Sequence, residues 1–286
     1  MNVVQAWRSL NAEQKQILAD KRIEANRPVE ELLALMKPLA ACDTMADKVR
    51  TKLGCSFALA IVVTIIGFFV LMNVAGFTIG VVVGLLLLVV AIALGFFYFW
   101  TRKIDVSNNF REFVVPVLSV FREDIDTARP VKVSIDLSSP IHKTKLQSES
   151  APYSKGVYHK VIDSMYRDPW MSADAVLVDG TKLSWTVTDV IRERKKTKRN
   201  PRGKYKTKTK YSKKTNLEVT VGLRKKTYDV AAPAAAELSG DEKRSVVKVE
   251  RQVKSASLDP VVPRALIDLI ADVYRNASLT KKEAGA

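Results

Sequence analysis

Residues that commonly build reactive sites are scarce in this chain. It has only two cysteines and two histidines among 286 residues. Cys42 and Cys55 stand thirteen positions apart, which suits neither a disulfide bond within one helix nor a pair of metal ligands. His142 and His159 have no cysteine or carboxylate at ligand spacing, and the chain lacks a glycine-rich phosphate loop and a nucleophile elbow. We therefore expect a non-enzymatic protein with no metal, no cofactor and no evident small-molecule substrate.

Charge is missing from one long segment. Residues 54–100 contain no Asp, Glu, Lys, Arg or His. About 20 apolar helical residues cross the ~30 Å hydrocarbon core of a bilayer, so this run accommodates two crossings and excludes an ordinary soluble protein. The turn-forming residues of the run lie at residues 73–78, which predicts a transmembrane hairpin of helices at residues 54–72 and 77–100. Neither helix contains an ionisable residue, which argues against a transporter or a channel formed by one chain.

Basic residues flank both outer ends of the predicted hairpin. Lys48, Arg50 and Lys52 precede it, Arg102 and Lys103 follow it, and its turn is uncharged. The positive-inside rule then predicts that both termini are cytoplasmic. A bacterial inner membrane is the expected location, although an internal eukaryotic membrane would give the same pattern. The apolar run begins too late in the chain, and is too long, for a cleaved signal peptide.

Small residues recur at every fourth position of each predicted transmembrane helix, where two backbones can approach closely. The predicted helix-packing residues are Gly76, Gly80, Gly84, Ser56, Ala60 and Thr64. These residues either seal the hairpin on itself, which we favour, or join subunits. A homo-oligomeric membrane assembly, or a pore built from many copies, is therefore an alternative.

The segment before the hairpin, residues 1–53, is predicted to be helical and cytoplasmic. Residues 3–25 have a helical pattern, and Asn11 and Gln14 resemble a capping box that begins a second helix. The apolar residues that follow are spaced alternately by three and four positions, which indicates the seam of a helix packed on another helix. These seam residues are Leu32, Leu35, Leu39, Cys42, Ala46, Val49 and Leu53.

A proline interrupts this seam. Because its ring removes one helical hydrogen bond and clashes with the preceding turn, we expect a break or kink at Pro38. A new helix is then expected to start near Asp43 or Thr44 and to continue into the bilayer.

The part of the chain after the hairpin is predicted to be mostly β. Residues 101–128 contain an amphipathic helix over 109–128. Residues 129–256 form a mainly antiparallel β-rich cytoplasmic domain, and residues 257–286 contain a C-terminal helix at 263–276 and a tail. The whole chain is thus predicted to be an α+β membrane protein with N-terminal helices and a two-helix transmembrane hairpin.

Alternating apolar and polar residues predict the strands of this domain. The first strand spans residues 131–137, and the turn-rich residues 138–156 are expected to form a loop. The clearest β pattern begins at Trp170, and Asp179-Gly180 predicts a hairpin because both positions tolerate positive φ. Two arms at residues 183–199 and 204–223 would reach ~55 Å at ~3.3 Å per residue, so their basic ends should project beyond the core or bend.

Most of the net charge lies in residues 192–214, the basic hairpin. This segment has thirteen Lys or Arg residues and one acid, Glu193, which gives +12 of the chain's +16. A single edge strand needs only one or two lysines for protection, so this density predicts a polyanionic partner. The predicted polyanion-binding residues are Arg192, Arg194, Lys195, Lys196, Lys198, Arg199, Arg202, Lys204, Lys206, Lys208, Lys210, Lys213 and Lys214.

Two polyanions fit such a hairpin. Anionic lipid headgroups are favoured, because the domain is predicted to be tethered to the cytoplasmic leaflet, where basic residues are attracted to the surface. Nucleic acid is the alternative, because paired β arms can enter a groove and neutralise phosphates. We therefore predict a membrane-anchored scaffold or interaction protein that binds anionic lipid through the basic hairpin.

The residues at the tip of the basic hairpin are relevant to the nucleic-acid alternative. Arg199-Asn200-Pro201 resembles the Arg-Asn-Pro at the arm tips of the HU and IHF family of architectural DNA-binding proteins, where the proline wedges between base steps. The resemblance covers three residues, and it implies DNA binding. An Asn-Pro-x-Gly turn, with Pro201 second and Gly203 fourth, explains the same residues without DNA and is preferred.

Overall fold

The computed structural model describes residues 2–74, 76–230 and 236–280. The chain is α+β, with one large antiparallel sheet, and it divides into two units. The first unit comprises Met1–Asp20 and Lys37–Val106, and the second comprises Lys21–Met36 and Ser107–Ala286. The sheet unit therefore takes residues from both sides of the apolar run.

The first unit is helical. Its helices are α1 (Val3–Ser9), α2 (Ala12–Asp20), most of α3 (Val29–Val74) and α4 (Phe77–Ile104). The predicted capping box is confirmed, since the backbone N–H of Gln14 donates to Asn11 Oδ1 at 2.7 Å and the backbone N–H of Asn11 donates to Gln14 Oε1 at 2.9 Å. These bonds satisfy two of the N–H groups that a helix N-terminus leaves free.

The helical pattern ends earlier than predicted. Residues 22–25 belong to strand β1 (Arg22–Arg27), which pairs with β2 (Val131–Asp136). Lys21 has a positive φ of 55° and ends the helical segment. The prediction of helix through residue 25 is wrong because pairing with a strand more than a hundred residues away outweighs a weak local preference.

Helix α3 runs without interruption through Pro38, so the predicted break and the new start near Asp43 are also wrong. An internal proline costs about 3 kcal/mol. The seam around it is deeply buried, with Leu35 at 5% exposure and both Leu39 and Cys42 at 0%. We infer that this burial offsets the cost, since each buried side chain contributes about 1.5–3 kcal/mol.

Both long helices have the length and apolar composition needed to cross a membrane. The predicted reversal is confirmed, because α3 ends at Val74 and α4 begins at Phe77; the intervening Ala75 lies outside the described residues. Large apolar side chains point outward along this hairpin, with Leu59 at 63%, Phe69 at 62% and Phe96 at 76% exposure. The core helix of a soluble protein would bury such residues.

Glycines of α4 receive large side chains from α3. A Cβ atom built on Gly84 would lie 2.6 Å from Phe68 Cδ2, and one built on Gly80 would lie 2.8 Å from Met72 Cγ. Gly95 lies against the ring of Phe57 in the same way. The α4 glycines thus form recesses for side chains of the same chain.

The other predicted packing residues lie elsewhere. Gly76 is at the turn, with φ of 90°, and a Cβ atom added there would have no neighbour within 4 Å. Ser56 is exposed, while Ala60 and Thr64 are half-buried. The Thr64 hydroxyl donates to Ala60 O at 2.7 Å. The α3 surface that meets the glycines is therefore made of large residues, because a recess in one helix is filled by a protrusion from the other.

The second unit is built on a nine-stranded antiparallel sheet of order β1-β2-β5-β6-β7-β10-β9, with β3 and β4 also paired to β5. A separate pair joins β8 to β11. The remaining strands are β3 (Leu146–Glu149), β4 (Tyr153–Lys155), β5 (Tyr158–Val176), β6 (Lys182–Arg199), β7 (Tyr205–Arg224), β8 (Tyr228–Val230), β9 (Ala236–Gly240), β10 (Arg244–Ser255) and β11 (Ala277–Leu279).

Helices cover one face of this sheet. A π-helical turn (Phe110–Val114) leads into α5 (Val115–Phe121), and α6 (Arg264–Arg275) follows the last long strand. Phe113 packs edge-on against Trp170 with ring centroids 5.4 Å apart, and Phe121 lies 6.1 Å from Trp185. The predicted C-terminal helix is confirmed; its apolar side is buried and comprises Leu266, Leu269, Ile270 and Val273.

Two predicted segments differ in extent. The helix expected over 109–128 ends at Phe121, after which Ile125 forms a bridge with Leu177. The expected loop at 138–156 contains β3 and β4, which pair with β5. In both segments the extent is set by pairing with other strand residues, which local periodicity does not reveal.

The Asp179-Gly180 hairpin is confirmed. The Gly180 N–H donates to Leu177 O at 2.8 Å, and Gly180 has φ of 80°. Asp179 accepts from the backbone and hydroxyl of Thr181. Glycine is favoured at position 180 because its backbone adopts a positive φ without strain.

Candidate polyanion-binding site

The basic hairpin is part of a wider sheet. Strands β6 and β7 pair continuously from Lys182↔Gly222 to Arg199↔Tyr205. On its other side β6 pairs with β5 as far as Lys160↔Thr197, and β4 covers the outer edge of β5. The two arms pair without a register shift, so the predicted bend at a bulge is absent between them, and β5 supports them on one side along most of their length.

The strand register brings cations of both arms onto one face. Directly opposed residues of an antiparallel pair point to the same side, and three opposed pairs here are both basic: Arg194↔Lys210, Lys196↔Lys208 and Lys198↔Lys206. With Arg192, which is two positions before Arg194, they form a surface that we call the cationic face. Its members are Arg192, Arg194, Lys196, Lys198, Lys206, Lys208 and Lys210.

One carboxylate compensates part of this charge. Asp163 on β5 accepts a bidentate pair of bonds from Arg194 at 2.6 and 3.0 Å, and one bond from Arg192 at 2.8 Å. The hydroxyl of Tyr153 on β4 donates to the same carboxylate at 2.8 Å. The two arginines are thereby held in fixed positions. Asp163 precedes the clearest β pattern, so sequence reasoning missed it.

The lysines of the cationic face remain uncompensated. Lys196 lies over the ring of Tyr158 at 5.3 Å. In the part of the chain that the structure describes, no acidic partner is recorded for the remaining four, which are Lys198, Lys206, Lys208 and Lys210. Like charges directly opposite each other destabilise a sheet. A bound polyanion would offset the repulsion between these lysines.

The other predicted binding residues are distributed differently. Lys195 points to the opposite face and pairs with Glu193 at 3.2 Å. Lys213 is 3% exposed, lies 3.7 Å from Asp189 and donates to the carbonyl of Asp259, so it is withdrawn from the surface. Lys214 is exposed on the same side of β7 as Lys210, and it lies opposite Lys254 of β10.

The tip is a turn of the predicted kind. The Gly203 N–H donates to Asn200 O at 2.9 Å, and the Lys204 N–H donates to Asn200 Oδ1 at 2.9 Å. Gly203 has φ of 78°. Arg199 donates to Gly203 O at 3.2 Å, while Arg202 and Lys204 are exposed. Turn geometry alone accounts for the Asn-Pro-x-Gly residues.

A buried polar network lies between the cationic face and the apolar core. Asp168 and Asp189 are directly opposed on β5 and β6, and each is 1% exposed. Lys145 forms an ion pair with Asp168 at 2.9 Å, and Thr215 donates to Asp189 at 2.6 Å. These contacts anchor the 3-10 turn of Lys143–Lys145 to the middle of the sheet.

We expect Asp168→Asn to stabilise the protein at neutral pH. Burial raises the pKa of the Asp168 carboxyl from 3.8 to about 6, with nearby Asp136 and Asp189 adding to the rise and Lys145 opposing it. Because the folded-state pKa is raised, the Asp168 carboxyl contributes most to the free energy of unfolding below about pH 4. This stabilisation is lost as the pH rises through about 6 and the carboxyl ionises. The gain at pH 7.5 should be on the order of 2 kcal/mol.

Urea unfolding of the detergent-solubilised chain, followed by far-UV circular dichroism, measures this effect. The advantage of Asp168→Asn should shrink as the pH falls from 7.5 to 4. Asp174→Asn, which alters an exposed carboxylate on the same strand, is the control and should have little effect. A pH-independent difference, or destabilisation at pH 7.5, would contradict the prediction.

One acidic cluster in the helical unit has a structural explanation. Asp43, Asp47 and Asp105 have carboxylate oxygens within 4.8 Å of one another. Arg50 lies 2.6 Å from both Asp47 and Asp105, and Asp43 accepts from the Val106 N–H at 3.0 Å. This cluster is an ion-pair network that joins the middle of α3 to the C-terminal end of α4 within the unit.

The cationic face is thus a preorganised array of ammonium and guanidinium groups whose chemistry suits a repeated anion. Its arginines are fixed by Asp163, and its lysines are free to reach a ligand. No protein-family model matches the chain, and no curated protein or solved structure does so either.

Proposed function

We propose that this protein is a non-enzymatic, membrane-anchored interaction protein whose cationic face binds anionic lipid headgroups. The observation that carries the proposal is the set of three directly opposed basic pairs on one exposed sheet face. Asp163 is the one acid paired there among the described residues. Such uncompensated density raises the local potential and attracts polyanions.

Membrane anchoring is supported by the surface of α3 and α4. Most of the large exposed apolar side chains of the described residues lie on these two helices, whereas soluble proteins rarely expose large contiguous apolar patches. Basic residues stand at both outer ends, at Lys48 and Lys52 before the run and at Arg102 and Lys103 after it. The positive-inside rule therefore favours cytoplasmic termini, and a bacterial inner membrane fits this arrangement.

Lipid is favoured over a nucleic-acid groove by the width of the supported sheet. Four strands, β4 to β7, lie side by side near the cationic face. At ~4.8 Å between strands they span ~14 Å before side chains are added, whereas a major groove is ~12 Å wide. A broad cationic surface matches a layer of headgroups better, and each basic residue near such a layer gains about 1 kcal/mol.

Nucleic acid is the second candidate, and the hairpin tip supports it. Beyond Thr197 the pairing recorded is that of β6 with β7, so the tip is a two-stranded ribbon. It carries Arg199, Arg202 and Lys204, and a ribbon of this width can enter a groove. A membrane-tethered nucleic-acid-binding protein would use this tip with the cationic face behind it.

Flotation of the full chain with vesicles tests the proposal. The protein in phosphatidylcholine nanodiscs should co-float with separate vesicles that contain phosphatidylglycerol, and should not co-float with pure phosphatidylcholine vesicles. The association should be lost near 1 M salt, where the Debye length is about 3 Å. Equal association with both vesicle types would refute lipid selectivity, and displacement by duplex DNA at physiological salt would favour the second candidate.

A further inference from the structure

A second cluster of basic side chains lies at the other end of β7. It surrounds a cavity of about 340 Å³ formed by two neighbouring turns. Its basic lining residues are Arg224, Lys225, Lys226, Lys243 and Arg244, and Glu242 is the one acid in the lining. We call this cavity the basic pocket. Lys208, at the middle of the cationic face, is about 50 Å away along the strand at ~3.3 Å per residue.

Backbone hydrogen bonds hold the two turns together. Arg224 at the end of β7 is directly opposite Arg244 at the start of β10. Beyond this pair the Lys225 N–H donates to Lys243 O at 3.1 Å. The Thr227 N–H donates to Arg224 O at 2.9 Å, and Thr280 donates to Thr227 O at 2.9 Å. The pocket is thus assembled on paired backbone, which reduces the ordering cost of binding.

Asp241, which precedes the lining residue Glu242, is already engaged. Asp241 Oδ1 accepts from the backbone N–H groups of Lys243 at 2.8 Å and Arg244 at 2.7 Å, and these bonds lower the pKa of its carboxyl. Arg244 is engaged as well, since it donates to Gly180 O at 3.0 Å and to Gly222 O at 2.9 Å. Arg244 therefore joins the start of β10 to the Asp179-Gly180 turn and to β7.

Most of the remaining cations are available to a ligand. In the described part of the chain Arg224, Lys226 and Lys243 form no ion pair with an acid, while the charge of Lys225 helps to lower the pKa of the nearby Asp241 carboxyl. One guanidinium and three ammonium groups around a small cavity match a compact, multiply charged oxyanion, because charge-assisted hydrogen bonds to phosphate oxygens are short and strong.

We propose that the basic pocket binds a phosphate group, in the form of a phosphomonoester or a short polyphosphate. The volume of 340 Å³ falls at the lower end of the range for small-molecule sites. The proposal is independent of the proposed function, because its residues lie outside the cationic face. The phosphate could belong to a soluble molecule or to a lipid headgroup.

The test uses the full chain in neutral detergent with the cationic face neutralised. In the background K198Q/K206Q/K208Q/K210Q, isothermal titration with inorganic triphosphate should detect one saturable site. Adding K225Q/K226Q/K243Q should weaken that binding at least tenfold. The matched control K37Q/K132Q/K143Q removes the same charge from exposed lysines elsewhere and should leave binding nearly unchanged.

Two results would overturn the proposal. One is an equal loss in both triple variants, which would indicate an effect of net charge alone. The other is no saturable binding of triphosphate or of short-chain phosphatidic acid in the neutralised background. A site that takes triphosphate but not short-chain phosphatidic acid indicates a soluble source of the phosphate, and the reverse indicates a lipid source. Failure of vesicle flotation would leave this proposal unaffected, since flotation probes the cationic face.

Discussion

The variant K198Q/K206Q/K208Q/K210Q should bind phosphatidylglycerol vesicles roughly a thousandfold more weakly than the wild type. Each of these four lysines is without an acidic partner in the described residues, so its charge is available to a ligand. At about 1 kcal/mol per basic residue near an anionic surface, four residues contribute about 4 kcal/mol. A tenfold change in affinity corresponds to 1.4 kcal/mol, which gives nearly three orders of magnitude.

Folding should survive this change. The four side chains lie at the sheet surface, and their replacement relieves the repulsion of Lys198↔Lys206 and of the neighbouring basic pairs. The matched control K37Q/K132Q/K143Q/K182Q removes four exposed lysines elsewhere. Flotation across a vesicle concentration series measures both affinities. If the control loses as much affinity as the test variant, the cationic face has no specific role.

The variant Gly84→Leu should destabilise the apolar helix pair by about 3 kcal/mol. A Cβ atom at this position already lies 2.6 Å from Phe68 Cδ2, so a leucine forces the ring or the helices apart. Overpacking of a filled interface usually costs 1–3 kcal/mol. Dodecyl sulfate titration of the full chain, followed by helical circular dichroism, measures the loss.

The control for this variant adds the same side chain on the opposite surface. Ala93 of α4 is exposed, so Ala93→Leu should leave the unfolding midpoint nearly unchanged. Light scattering distinguishes glycines that pack the hairpin on itself from glycines that join subunits. If Gly84→Leu separates an oligomer into monomers while the unfolding midpoint stays constant, then the recess is filled by another copy and not by Phe68 of the same chain.

Features that depend on neighbouring residues could be predicted from the sequence. The charge-free run predicted two long helices with a reversal at residues 73–78, and the structure turns between Val74 and Phe77. The capping box of Asn11 and Gln14 and the turn at Asp179-Gly180 were predicted because each involves residues two or three positions apart. Helix α6 could be predicted for the same reason, because the helical spacing of its apolar residues is a local property of the sequence.

Features that depend on distant pairing could not be predicted. Strand β1 looked helical, and residues 158–169 gave no clear pattern, because their strand character comes from partners far along the chain. Pro169 lies within β5 at a register shift, where a missing N–H is tolerated. Helix α3 continues through Pro38 for a similar reason, since burial of the surrounding seam is a tertiary effect.

The sequence alone determined how much charge the basic hairpin carries, whereas the tertiary structure decided which charges share a surface. Alternation places Lys206, Lys208 and Lys210 on one side of a strand, but only the register places Arg194, Lys196 and Lys198 beside them. The same register buries Lys213 next to Asp189. The basic pocket depends on tertiary structure to an even greater degree.

Residues 224–226 and 243–244 are far apart in the chain, and each short group looks like an ordinary charged turn. They meet because β7 and β10 pair from Arg244↔Arg224 onward. Local composition determines which side chains are available, since it is a property of the covalent chain. Their convergence on a site is decided by the backbone hydrogen bonds between β7 and β10, which are a property of the folded sheet.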